Sequence, residues 1–395
     1  MSIHTTLANE KIGDISNKYG ICEEYLRMIN DIPYGEPTEG DELLILTPTR
    51  SYTVQYSDTV DRIAMRFGTR KKDIYLLNPW LNNTPLKEGM TIAVRYGERR
   101  RGMAVANGYL FSGCTEEALK RALPYLTYVT FAGAIADNHG VRRCANFRKE
   151  IALAREEKKI PLLRVYDKYT ERYKDGDLSN YAESLIELAR ADGYKGIVLN
   201  SCPLSDYADN FTAFLMILRK MMIGCDLILI TEINSNSPSQ FSEYADGSVM
   251  YMPKFASESP MPFIDSERKI VADFACQGES AKVFIDLPSI ARCGGKYTSI
   301  LDVLDYARRK GCAINRNEST LLSHVCDKKQ GEFVFSSLKY IEELLDLVCE
   351  FDYMGVCFDI MRTPLSHLML YNSMFKTSYF NDVRTREGCS RADGA

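Results

Sequence analysis

The sequence predicts an α/β chain in which two small βααβ repeats precede a (β/α)8 barrel carrying a small insertion. Three observations lead there. Residues 1–97 repeat themselves, residues 98–395 alternate short apolar runs with helical patterns, and a charged run, Glu98-Arg99-Arg100-Arg101-Gly102, stands between them. The boundaries follow as 1–48 for the first repeat, 49–97 for the second and 98–395 for the barrel.

The repeat emerges on shifting the chain by 48 positions, from Ile12 to Val60. Ile12-Gly13-Asp14-Ile15-Ser16-Asn17-Lys18-Tyr19-Gly20 then lies over Val60-Asp61-Arg62-Ile63-Ala64-Met65-Arg66-Phe67-Gly68, and Asn30 over Asn78. In the second copy Tyr52-Thr53-Val54-Gln55 alternates as a strand does. Asp58 and Thr59 offer an N-cap to a helix whose apolar stripe is Val60, Ile63, Ala64 and Phe67, and Gly68 supplies a left-handed stop. A second helix carries Ile74 and Leu77 and ends at Asn78-Pro79, and Gly89 turns the chain into a closing strand, Thr91–Val94.

Beyond the charged run, eight strand-like runs follow: 104–109, 128–132, 161–166, 196–200, 226–231, 247–251, 282–287 and 355–360. Helical patterns such as Tyr181–Ala191 and Asn210–Met221 separate them. Short, β-branched runs bounded by turns suit strands buried on both faces, and eight such units fit a barrel that typically needs about 250 residues. The longest gap, between the seventh and eighth runs, contains Gly331–Phe335 and reads as the insertion.

Composition narrows the partners. With 53 acidic residues against 49 basic ones the chain is net −4, which argues against nucleic acid, since phosphate binding wants a basic surface. No run reaches the roughly 18 to 20 apolar residues that span a bilayer. The N-terminus Met1–Thr6 lacks a basic segment followed by an apolar one, so the expectation is synthesis in the cytoplasm without a secretory signal. The 12 cysteines form no CxxC pair, which points to reduced thiols and gives no ground for a metal site or any cofactor.

The repeat residues resemble the LysM consensus: strand, Ser-Asp-Thr turn, Ile-Ala, aromatic-Gly, Leu-Asn-Pro, and a Gly before the last strand. The match is good over 51–96; over 2–47 Asn9-Glu10-Lys11 replaces the turn and Pro33-Tyr34-Gly35-Glu36-Pro37 replaces the later loop. The resemblance implies binding of N-acetylglucosamine polymers, in peptidoglycan or chitin, along a groove between the first turn and the loop after the second helix. On this chain that groove is Ser57, Asp58, Thr59 and Val60 with Asn78, Pro79, Trp80 and Leu81. A plainer role for Asp58, Thr59 and Asn78 is capping alone.

In the barrel, Gly193–Pro203 followed by Asp209-Asn210-Phe211 resembles the signature of glycoside hydrolase family 18, a TIM-barrel family. Met250-Tyr251 looks like its Tyr-containing motif, which places Tyr251 in the cleft, and Gly355–Asp359 like its last strand. That family's DxxDxDxE motif falls on Lys195, Val198, Asn200 and Cys202, so the acid that protonates the glycosidic oxygen and the Asp that orients the N-acetyl group are both replaced. Removing a general acid costs about 10²–10⁴ in rate. The family's last-strand Trp is replaced by Asp359, and the only Trp is Trp80.

Two repeats before such a barrel resemble the spore-cortex-lytic N-acetylglucosaminidases of spore-forming bacteria. This implies synthesis in the mother cell, deposition on the spore, and spore coat or cortex components as partners. The expected function is glycan binding with an inactive barrel. An active glycosidase with a relocated acid is the alternative, its candidates being Asp167, Glu232 and Asp359 at predicted strand ends; a further one is a Cys202 thiolate activated by His139.

Overall fold

The computed structural model describes residues 1–82, 84–96, 101–167, 177–200, 208–234, 244–251, 264–276 and 280–377. They divide into two compact units. One comprises the described residues within 1–101, 289–342 and 364–375, and the other those within 102–288, 343–363 and 376–377.

In the first unit both repeats fold as expected. Strand β1 (Ser2–Thr5) pairs antiparallel with β2 (Glu42–Ile45) around helices α1 (Ile12–Tyr19) and α2 (Glu23–Ile29). Strand β3 (Pro48–Thr53) pairs with β4 (Thr91–Tyr96) around α3 (Val60–Phe67) and α4 (Lys71–Leu77). The Thr59 hydroxyl accepts from the Arg62 N–H at 3.2 Å and Gly68 turns left-handed at φ +64°, so α3 starts and stops where its capping residues require.

The duplication is preserved in hydrogen bonds more faithfully than in residue types. Asn78 is buried; its amide donates to the Ile74 and Ala93 carbonyls at 2.9 and 2.7 Å and its oxygen accepts from the Ala93 N–H at 2.8 Å. Asn30 does the same with Leu26 and Leu44, at 3.0, 3.0 and 2.7 Å. In the turn, Asp58 accepts from the Gln55 N–H at 2.8 Å and the Tyr52 hydroxyl at 2.6 Å. Glu10, which the sequence marks as a departure, accepts from the Leu7 N–H at 2.8 Å and pairs with His4 at 2.9 Å. Asn9 and Ser57 both hold left-handed φ, 61° and 67°. A longer acid and a shorter partner thus rebuild the same turn.

The insertion is larger than one hairpin. Five antiparallel strands lie between Ile290 and Ser336, with a helix, Ile300–Lys310, that packs Ile300, Val303 and Ala307 on Ala291, Ile314, Val325 and Phe335. This subdomain joins the first repeat. Arg308 makes two bonds to Asp41, at 2.7 and 3.2 Å, with both side chains buried, and Arg316 pairs with Glu42. The Ile314 N–H donates to the Glu39 carbonyl at 2.8 Å. Gly40, at φ +77°, is forced by that approach, because a Cβ there would sit 1.8 Å from the Ile314 carbonyl oxygen.

The second unit is the barrel. Strands β5 (Gly102–Leu110), β6 (Tyr128–Asp137), β8 (Ile160–Asp167), β9 (Gly196–Asn200), β10 (Ile228–Asn234), β11 (Gly247–Tyr251), β12 (Val283–Asp286) and the closing strand Gly355–Asp359 pair in parallel, and β5–β6 pairing closes the ring. β7 (Gly140–Arg143) folds back on β6 as a hairpin. Every second residue points inward, so Val105, Tyr109, Leu162, Val198, Ile230, Val249, Phe284 and Cys357 belong to one cluster. Gly355 permits the closing contact, since its Cβ would meet the Val105 carbonyl oxygen at 1.8 Å. No helix among the described residues is long and apolar enough to cross a membrane.

Candidate functional site

In the second repeat the residues assigned to the groove divide by what their side chains do. Val60 and Leu81 face the domain core and Asn78 is consumed by its three bonds. Asp58 and Thr59 hold the turn and the helix start. The Tyr52 and Gln55 bonds keep the Asp58 carboxyl below the usual carboxylate range. What remains for a ligand is the exposed Ser57 turn, the Val60 and Asp61 N–H groups at the helix start, which have no intrahelical partner, and half-buried Trp80 packed beside the core. Pro79 begins a short 3₁₀ turn, Pro79–Asn82, that carries Trp80. Sequence reasoning missed Tyr56, 83% exposed beside Ser57. An aromatic directly before a Ser-Asp-Thr turn was its signal, because exposed aromatic faces suit sugar rings.

At the C-terminal end of the barrel strands a single buried carboxylate gathers the polar groups. Glu232, on β10, has a side chain only 1% exposed. It accepts five hydrogen bonds: from Arg164 Nε at 2.7 Å and Nη2 at 2.9 Å, the Tyr109 hydroxyl at 3.0 Å, the Tyr251 hydroxyl at 2.8 Å, and the Asn200 amide. A carboxylate has about four lone-pair sites, so this one is saturated. Burial, the largest single influence, would lower the Arg164 pKa, but the charge and hydrogen bonds of Glu232, with the two phenols, together outweigh it and raise the value. Burial first, and the Glu232 charge second, push both phenols well above their ordinary range. Arg164 also lies over the rings of Tyr109, Phe111 and Tyr166, at 5.8, 6.0 and 5.8 Å from their centroids.

The remaining predicted positions scatter. Lys195 is exposed at the start of β9, Val198 fills the barrel interior and Asn200 alone of these reaches the Glu232 cluster. Cys202 lies outside the described residues. His139 is exposed at the tip of the β6–β7 hairpin. Asp167 is buried and accepts from the Tyr181 hydroxyl at 2.8 Å. Asp359 caps a turn, accepting from the Met361 and Arg362 N–H groups at 3.0 and 3.2 Å and pairing with Arg362 at 3.2 Å. Burial raises its pKa despite Arg362. Arg164 and Tyr109 were missed although their inward parity in β8 and β5 was readable; a charge inside an apolar run such as Pro161–Tyr166 was the signal. Among the described residues no group of three or more His, Cys, Asp or Glu side chains could hold a metal ion.

Turn, staple and helix starts of this kind have a counterpart among known families. Residues 52–95 match the LysM domain. Over most of its length the chain is similar in fold to two solved spore cortex-lytic enzymes named SleL. That of Bacillus megaterium QM B1551 aligns at TM-score 0.72 and 18% identity over 95% of this chain and 98% of the other. That of Bacillus cereus aligns at 0.72 and 17% over 95% and 99%. A chitinase from Chromobacterium violaceum aligns at 0.61 and 14% over 68% of this chain and 98% of the other. No curated protein matches by sequence. The closed eight-stranded parallel barrel with a LysM domain before it is therefore the glycoside hydrolase family 18-like architecture.

Proposed function

We propose that the chain holds an N-acetylglucosamine-containing glycan, of the peptidoglycan or chitin kind, in the groove of the second LysM repeat, and that its barrel does not hydrolyse that glycan. The observation that carries the second half is the saturation of Glu232. A general acid must hold a proton and aim it at the glycosidic oxygen. Glu232 faces a bidentate guanidinium, two phenols and an amide, all of them donors. With Asn200 spent as one donor and Cys at position 202, the two carboxyl roles of family 18 have no holder there.

Similarity to two spore cortex-lytic enzymes over nearly the whole length supports a spore role: synthesis in the mother-cell cytoplasm, then deposition among coat or cortex components. A second reading, a hydrolase with a relocated acid, is favoured by Asp359 alone, whose carboxyl is held above its usual range at a barrel-strand end. One sample tests both. The expected result is sedimentation with insoluble peptidoglycan or chitin, a shift of Trp80 fluorescence on titration with a N-acetylglucosamine oligomer, and no release of reducing ends. A flat titration with no sedimentation sinks the binding assignment. Turnover that vanishes in Asp359→Asn or Glu232→Gln establishes the hydrolase instead.

A further inference from the structure

The two repeats share their turn and their Asn staple, yet they differ at the one place where a ligand would enter. In the first repeat the loop after α2 sends the Glu36 carboxylate across to the first turn of α1, where Oε2 accepts from the Ile12 N–H at 2.8 Å. Ile12 is the first residue of α1, so its N–H is one of the donors that no intrahelical carbonyl serves. Arg27 fixes the crossing: it donates to Glu36 Oε1 at 3.3 Å and to the Gly35 carbonyl at 2.7 Å, and is itself held by Glu23 at 2.7 Å. The base of the same loop is tied down as well, with the Asp31 carbonyl accepting from Arg308 at 3.0 Å and its carboxylate from the Leu365 N–H at 2.6 Å.

The second repeat has no such crossing among its described residues. Val60, 48 positions after Ile12, begins α3 in the same way, and no described side chain bonds its N–H. Positions 79–87 contain no acid, and the residues aligned with Glu23 and Arg27 are Lys71 and Tyr75. We infer that Glu36 is a built-in ligand of the first groove. Its carboxylate bridges the two walls between which the second repeat, on the function proposed above, admits the glycan. The native chain therefore binds one N-acetylglucosamine oligomer rather than two, and the first repeat serves as a closed, latched copy.

Calorimetric titration of the full chain with chitotetraose tests this, beside the fluorescence of Trp80, which lies in the second repeat. The inference expects one oligomer per wild-type chain and two per Glu36→Ala chain, the Trp80 response being the same in both. Two sites in the wild type, or one in a folded Glu36→Ala chain, overturns the latch. No heat and no fluorescence change in the wild type instead overturns the binding assignment on which the latch rests. Amide exchange needs no variant: the Ile12 N–H should exchange at least about tenfold more slowly than the Val60 N–H, as befits a bond of about 1.5 kcal/mol or more to a charged acceptor. Equal exchange at the two positions refutes the crossing in solution.

Discussion

Asn200→Asp restores one carboxylate of the family 18 motif, and the barrel mouth gives it a calculable penalty. In the wild type the Asn200 amide donates to Glu232, which is 1% exposed at its side chain. The substitution removes a hydrogen bond to a charged acceptor, about 1.5–3 kcal/mol. It also sets two carboxylates against each other. At roughly 3.5 Å and an effective dielectric of about 20, their repulsion is about 5 kcal/mol. The pair avoids part of that by sharing a proton, taken up in the folded state and not in the unfolded one. Native proton uptake makes stability fall as pH rises, by at most about 1.4 kcal/mol per unit. Urea denaturation should therefore show Asn200→Asp weaker than wild type by about 5 kcal/mol at pH 8, where taking up the proton against a carboxyl reference of about 3.9 is costly, and by about 1.5 kcal/mol at pH 5. Equal losses at both pH values, or a gain in stability, would refute the description of Glu232 as a saturated, buried acceptor. The double change Asn200→Asp with Cys202→Glu should still release few reducing ends, for the same reason.

Two further outcomes follow from buried groups of the first unit. His367 is buried with Nδ1 unpartnered among the described residues, and burial pushes its pKa down to about 3 from an ordinary 6.5. Between those values the unfolded chain binds a proton that the folded one refuses, so stability is full above pH 6.5 and falls toward pH 3 by up to about 5 kcal/mol; His367→Met should flatten that acid limb in denaturation curves, and an unchanged limb would contradict the assignment. Arg308→Met strands the 1%-exposed Asp41 carboxylate and should cost about 3–5 kcal/mol, with added Asp41→Asn recovering part of it; a neutral Arg308→Met by calorimetry would show that the pair carries no stability.

How much of this was legible depends on the range over which each signal acts. The helices of the second repeat could be placed because Thr59, Gly68 and the stripe Val60–Phe67 are local signals, each satisfied within one turn. The eight barrel strands were visible because both faces of each are apolar. The equivalence of Glu10 and Asp58 was not, since it depends on partners, His4 for Tyr52, that change together with the acid. The five-stranded insertion was under-read because its strands are three to six residues long, too short to show a period. In the candidate site, Glu232 was named for its place at a strand end and Tyr251 for its resemblance to the family's Tyr-containing motif, but their meeting with Arg164 and Tyr109 is a matter of barrel parity across β5, β8, β10 and β11. Asn78 was named as a groove residue, and its side chain turns out to be spent on the fold.

The pairing of Asp41 with Arg308 spans 267 positions of chain. At a synthesis rate of about 5–20 residues per second, a nascent first repeat waits roughly 15–50 s for its counter-ion to leave the ribosome. Over that interval Asp41 and Glu42 face water, and Gly40 has no Ile314 to pack against. The first repeat is thus the earliest part of the chain to be made and among the last to be finished, whereas the strand pairing and Asn78 staple of the second repeat are available once residue 96 has been made. A fragment ending near residue 97 would be frozen at that intermediate stage: one finished module, and one still missing the guanidinium groups of Arg308 and Arg316.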